Sequence, residues 1–156
     1  MSTITDSREY PARPLLGVGG IVFRQDGALL LVQRAKEPAQ GRWTIPGGLV
    51  EIGETLQAAV AREVCEETGL RVEPVAQVEI VERIYRDEAD GRVRYHYVLA
   101  DFLCAITGGE LAASSDAADA RWVPEAEWQR DGWLEAWTLR VLRKGWQMWR
   151  ELEPSR

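Results

Sequence analysis

The chain has 156 residues, 46% of them hydrophobic and 28% charged, with a net charge of −6. That length suits one domain with one core, and the acidic balance argues against nucleic-acid backbones and anionic membranes as bulk partners. A phosphate-rich small molecule suits such a chain only where cations gather at the site, a first pointer to a metal.

Residues 1–14 are mostly polar, hold Pro11 and Pro14, and read as a flexible arm ahead of a domain spanning 15–153. The arm has no apolar signal-peptide core, and no run of about 18 apolar residues occurs anywhere. Cys65 and Cys104 fall outside any C-x-x-C pair. A cytoplasmic protein with free thiols is therefore expected. Leu15 to Phe23 and Ala28 to Gln33 are predicted strands, with Asp26-Gly27 between them as a hairpin signal. Glu37 to Gly53 is rich in turn formers and reads as a loop. Thr55 to Thr68 is a predicted helix, with Thr55 as N-cap and Gly69 just past its end. Arg71 to Tyr85 and Arg92 to Ile106 are strand-like, joined at Asp90-Gly91, and Ala120 to Val123 is a short strand. A final helix is predicted from Trp133 to about Leu152. This order, rich in strands with two separated helices, predicts an α+β domain.

The chemistry concentrates in GLVEIGETLQAAVAREVCEETGL, Gly48 to Leu70. On a helical wheel Leu56, Val60 and Val64 form an apolar stripe. Glu63, Glu66 and Glu67 fall at i, i+3 and i+4, at the edge of that stripe, so their carboxylates are expected to converge. Like charges at this spacing repel by about 0.2–0.5 kcal/mol per pair. A divalent cation removes that repulsion, and hard carboxylate oxygens suit Mg²⁺ or Mn²⁺. A solvated acidic face with Arg62 as local ion-pair partner is the plainer alternative for any such cluster. Pro46-Gly47-Gly48 lets the backbone turn and approach the helix start closely. Glu54 lies at the helix N-terminus, where the dipole favours a carboxylate, and it can pair with Arg62 to clamp the loop.

The segment resembles the Nudix box, G-x5-E-x7-R-E-U-x-E-E-x-G-U with U aliphatic. Gly48, Glu54, Arg62, Glu63, Val64, Glu66, Glu67, Gly69 and Leu70 fill every specified place. The resemblance implies a Nudix fold, a mixed β-sheet packed between helices as an α/β/α sandwich, and hydrolysis of a diphosphate bond in a nucleoside diphosphate linked to a moiety X. It implies metal ligation by Glu63, Glu66 and Glu67, with the Gly48 carbonyl as a further ligand, and structural roles for Glu54 and Arg62.

In such a reaction water attacks phosphorus while charge builds on the phosphoryl and leaving oxygens. Glu63 is the first choice of general base; Glu110, Asp116 and Asp119, acids further along the chain, are the alternatives. Arg34, Arg42 and the Gly47 backbone are candidates for substrate binding, the arginines as phosphate grips. Trp43 is expected to pack under the loop, and Tyr95 and Tyr97 share one strand face with His96 on the other. Family members specific for ADP-ribose often carry a proline after the box, so its absence between Pro74 and Pro124 weakens the expectation of an ADP-ribose-like substrate without removing it, and a (d)NTP or a dinucleoside polyphosphate stays open beside it. A ligand sensor that kept the fold and lost turnover is the competing class; the intact glutamates argue against it. In the last helix Leu134, Trp137, Val141 and Met148 form one apolar stripe, and Leu139, Leu142, Trp146 and Trp149 form another. That excess over one face of about 100° predicts burial against the Trp122 to Trp128 segment or in a homodimer.

Overall fold

The computed structural model describes residues 7–112 and 117–152. Its elements are β1 (Leu15–Val22), β2 (Leu29–Arg34), β3 (Trp43–Thr44), β4 (Gly47–Leu49), α1 (Leu56–Thr68), β5 (Leu70–Arg86), β6 (Val93–Gly109), β7 (Ala117–Val123), α2 (Glu125–Trp128) and α3 (Ala136–Leu152). One sheet runs β4-β1-β6-β5 and a second β3-β2-β7. The β1–β6 pair is parallel and every other pair is antiparallel, so the larger sheet is mixed.

β1 and β2 are apolar along nearly their whole length because helices or strands cover both of their faces. Their alternation divides the core in two. Val18, Val22 and Leu30 pack with Val60 and Val64 of α1, together with Ala100 and Phe102. Ile21, Leu29 and Leu31 pack with Leu139, Val141 and Leu142 of α3, together with Leu103 and Trp128. Each fully buried aliphatic side chain here stabilises the fold by about 1.5–3 kcal/mol. The layers are thus helix, sheets, helix, as the resemblance implies.

The predicted caps of α1 are present. The Thr55 side chain accepts from the Ala58 amide, and Gly69 adopts the left-handed conformation with its amide bonded to the Cys65 carbonyl. Three expectations needed revision. Asp26-Gly27 does make a turn, closed by the Arg24 amide on the Ala28 carbonyl at 2.8 Å. The strands it joins nevertheless meet only at the Phe23–Leu29 bridge, because each is already paired on both edges within its own sheet. The Glu37 to Gly53 loop contains β3 and β4, and the four-residue α2 follows β7. Two- to four-residue elements carry no readable period, and Gly-Gly-Leu is a poor strand by propensity; pairing with β1 makes it one.

The last helix begins at Ala136 rather than Trp133. Its second apolar stripe is covered from within. Trp146 lies 5.1 Å from Phe23 and 5.8 Å from Trp128, centroid to centroid, and Trp149 stacks on Trp146 at 5.2 Å. Trp128, fully buried, donates its indole N–H to the Gly27 carbonyl at 3.2 Å. Both Cys65 and Cys104 are free thiols, and burial pushes the Cys104 thiol up to about 12. Near the start of the chain, the Tyr10 amide donates to the Arg94 carbonyl at 2.7 Å and Glu9 accepts from the Tyr95 hydroxyl at 3.1 Å. Among the described residues no helix is long and apolar enough to cross a membrane.

Candidate active site

β4 is held antiparallel to β1 with Gly47 opposite Gly19 and Gly48 opposite Val18. The Gly20 amide bonds the Pro46 carbonyl at 2.8 Å and the Val50 amide bonds the Leu16 carbonyl at 3.0 Å. These bonds fix the Pro46-Gly47-Gly48 backbone beside α1. Because α1 buries Val60 and Val64 in the core, the edge carrying Glu63 and Glu67 is turned onto that backbone. The Gly47 amide donates to Glu67 Oε2 at 3.3 Å. A Cβ at Gly48 would lie 2.5 Å from both carboxylate oxygens of Glu63, so only glycine permits this approach.

Arg62 is the hub beneath the acids. Its Nε and Nη2 donate to the two oxygens of Glu54 at 2.7 and 2.8 Å, a bidentate pair. Nη2 also donates to the Leu49 carbonyl at 3.1 Å, tying loop to helix. Nη1 donates to Glu63 Oε1 at 2.8 Å and to Glu66 Oε2 at 3.3 Å. The Arg62 guanidinium holds the Glu54 carboxyl down to about 2, chiefly through these bonds and against the opposing effect of burial; Arg62 is raised in turn. The three glutamates therefore line one edge, but among the described residues no three carboxylate, imidazole or thiol groups close on a common point. Glu63 and Glu66 are turned to Arg62 instead. In chemistry the donor set fits a hard divalent cation, being carboxylates beside a main-chain carbonyl, and the side-chain-free space at Gly48 faces the Glu63 carboxylate.

A cleft of about 520 Å³ opens over this edge. Gly47, Gly48, Glu63, Glu66 and Glu67 line it together with Tyr85, Tyr97, Trp133 and Trp137. Arg34, Arg42 and Trp43 also line it. Arg34 spends its Nε on the Pro38 carbonyl at 2.6 Å, and its amide bonds the Arg42 carbonyl at 2.9 Å, so it also braces the 35–42 loop. Trp43 carries the Arg121 guanidinium 4.3 Å from its ring centroid. Of the acids named as alternative bases, Glu110 and Asp119 are not among the cleft-lining residues, and Asp116 lies outside the described residues. Tyr95 stacks on Tyr97 at 6.3 Å but only Tyr97 reaches the cleft.

Two cleft residues escaped sequence reasoning, Arg83 of β5 and Asp101 of β6. A signal for Asp101 did exist. It interrupts the apolar run Val98 to Ala105, and its parity places it on the face of Tyr95 and Tyr97.

The model of the Nudix domain matches residues 13–144. The chain is 34% identical over 141 residues to a MutT-like protein of Streptomyces ambofaciens, covering 89% of this chain and 83% of that one. It is 38% identical over 107 residues to an ADP-ribose pyrophosphatase of Methanocaldococcus jannaschii, covering 69% and 60%. It is also 36% identical over 108 residues to an 8-oxo-dGDP phosphatase of Mus musculus, covering 67% of this chain but 30% of that one. Among solved structures, the MutT Nudix hydrolase of Burkholderia pseudomallei superposes with a TM-score of 0.68 at 27% identity, over 85% of this chain and 98% of that one. The box geometry, the layered fold and these matches agree: the chain belongs to the Nudix hydrolase family and is a Nudix hydrolase.

Proposed function

We propose that this protein hydrolyses a diphosphate bond in a nucleoside diphosphate linked to a moiety X, with Mg²⁺ or Mn²⁺ held by Glu63, Glu66, Glu67 and the Gly48 carbonyl. The observation that carries the reading is the seating of Glu63 and Glu67 against the Gly47-Gly48 backbone at the floor of a cleft of about 520 Å³. A bound divalent cation would neutralise phosphoryl charge and lower the pKa of attacking water. The protein's own residues do the rest. Glu63 takes the proton of the attacking water, and it stands in the cleft where Glu110 and Asp119 do not. Arg62 holds Glu63 and Glu66 in place through one nitrogen while its other two remain locked on Glu54, so releasing the acids to a cation leaves the clamp intact. Arg34 and Arg42 face the same cleft and supply positive charge for the phosphates.

The substrate class follows from chemistry that two relatives' names share. ADP-ribose and 8-oxo-dGDP are both diphosphates of purine nucleosides. A panel of ADP-ribose, 8-oxo-dGTP, 8-oxo-dGDP and a diadenosine polyphosphate, with released monophosphate or phosphate as the signal, tests the reading. Hydrolysis of at least one in Mg²⁺ and loss of that activity in EDTA are expected. Full activity in EDTA would sink the metal assignment. We further propose cytoplasmic residence and a homodimer.

A further inference from the structure

Besides the glutamates, the cleft is lined by a further acid and a further arginine, Asp101 and Arg83. Alternation along β6 turns Tyr97, Leu99 and Asp101 to the cleft, and the antiparallel register brings Arg83 opposite Tyr97 and Tyr85 opposite Tyr95. Asp101 is only 5% exposed. Its carboxyl lies over Gly19, where any Cβ would collide with Oδ1, so glycine at 19 makes the room it occupies. Burial, reinforced by Glu79 and opposed by Arg83, pushes its pKa up to about 7. Arg83 lies over the Trp137 ring, 3.0 Å from the centroid, and one nitrogen, Nη1, donates to the Glu82 carbonyl at 3.1 Å. Its Nε is buried with no partner at all.

Buried polar groups in folded proteins are nearly always satisfied, and the exceptions mark places where something else completes them. Here one such group, the Arg83 guanidinium N–H, and the buried acid Asp101 line a single cleft together with Tyr85, Tyr97 and Trp137. Aromatic walls suit a flat ring, and a carboxyl beside an N–H donor suits the edge of a nitrogen heterocycle, where a ring or exocyclic N–H neighbours a ring nitrogen or carbonyl. We propose that Asp101 and Arg83 are the specificity-determining pair for the nucleobase, Asp101 meeting its N–H donor and Arg83 Nε its acceptor. This inference rests on the reading of the cleft as a nucleotide site. It assigns two cleft residues other than the glutamates proposed to hold the metal.

The test is equilibrium binding by calorimetry in EDTA, which removes turnover and metal from the measurement. The ligands are AMP, GMP and ribose 5-phosphate, which keeps sugar and phosphate but lacks a base. The wild type should bind at least one nucleoside monophosphate more tightly than ribose 5-phosphate. Asp101→Leu should weaken that nucleotide by about 10-fold or more, as for a site built to hydrogen-bond its ligand, and leave ribose 5-phosphate unchanged. Arg83→Met, which keeps the chain over Trp137, should do the same and serves should Asp101→Leu fail to fold. In turnover both variants should raise KM with kcat little altered, since neither touches the reacting atoms. Equal loss for all three ligands, no loss for the nucleotides, or no nucleotide binding by the wild type at millimolar concentration would overturn the assignment. Base-dependent binding without hydrolysis of any panel substrate would sink the proposed reaction and leave this pair standing. Hydrolysis indifferent to both variants would do the reverse.

Discussion

Glu67 and Asp101 are both acids in one cleft, and their surroundings give them opposite character. Glu67 accepts from the Gly47 amide at 3.3 Å in the cleft. Glu67→Gln keeps the shape and removes a charge, and we expect at least about a 100-fold fall in rate, the scale of losing one electrostatic contact to a transition state. Steady-state kinetics across a Mg²⁺ titration checks it; near-normal activity with unaltered metal dependence would remove Glu67 from the ligand set. Asp101 sits where burial opposes its charge and pushes its pKa from the ordinary 3.8 up to about 7. The unfolded chain releases that proton near pH 4 and the folded chain near pH 7. Stability should therefore fall as pH rises between those values and level off above. Asp101→Leu removes the term, so thermal unfolding should show the variant gaining on the wild type at pH 8 relative to pH 5. A difference independent of pH would show that the carboxyl is not desolvated in solution.

At the scale of elements, the loop ahead of α1 is fastened to the helix by Arg62 as well as by apolar packing of Val50. The guanidinium joins Glu54, the Leu49 carbonyl and two glutamates of α1. Arg62→Ala leaves those acids facing one another, so the variant should lose roughly 4 °C or more in Tm. Glu54, held down to about 2 by Arg62, contributes stability that is present above about pH 4.5 and lost as pH falls through 2. Acid unfolding should therefore begin at higher pH in Arg62→Ala, and identical acid transitions would argue against the clamp. The other end of the fold is fastened by aromatic packing. Trp146 fills the space among Phe23, Trp128 and Trp149, so Trp146→Ala should cost about 3 kcal/mol in urea unfolding. A cost below about 0.5 kcal/mol would mean that the ring is not packed as described.

For the whole molecule, Trp146 and Trp149 of α3 are partly covered from within the chain by Phe23 and Trp128, which weakens the case for a homodimer contact through them. Trp137 and Leu152 of α3 are exposed, and a further group of exposed large apolar side chains lies on the larger sheet. Leu16, Ile80 and Ile84, at 47%, 58% and 46% exposure, share the sheet face that also carries Val18 and Ala100 under α1. α1 covers only one end of that face. A homodimer should therefore use the uncovered end. Light scattering after size exclusion should give about twice 17.6 kDa, reverting to one chain in Ile80→Glu/Ile84→Glu; a monomeric mass for the wild type at micromolar concentration would refute the dimer.

What was legible in the sequence is what local spacing decides. The α1 helix and its caps, the three glutamates on one edge, the Glu54–Arg62 pair and the helix-sheet-helix layering follow from a 3.6-residue period, cap chemistry and the box pattern. Four things were settled only by tertiary structure. Gly47–Leu49 became a strand because β1 offered it an edge. The Asp26-Gly27 turn joined two sheets because both its strands had other partners. Trp146 and Trp149 of α3 turned inward because Phe23 and Trp128 arrived beside them. Arg83 and Asp101, far apart in sequence, came to line one cleft because the β5–β6 register put their side chains on one face. Each depends on which segment lies next to which, a relation between residues distant along the chain, which no local period records.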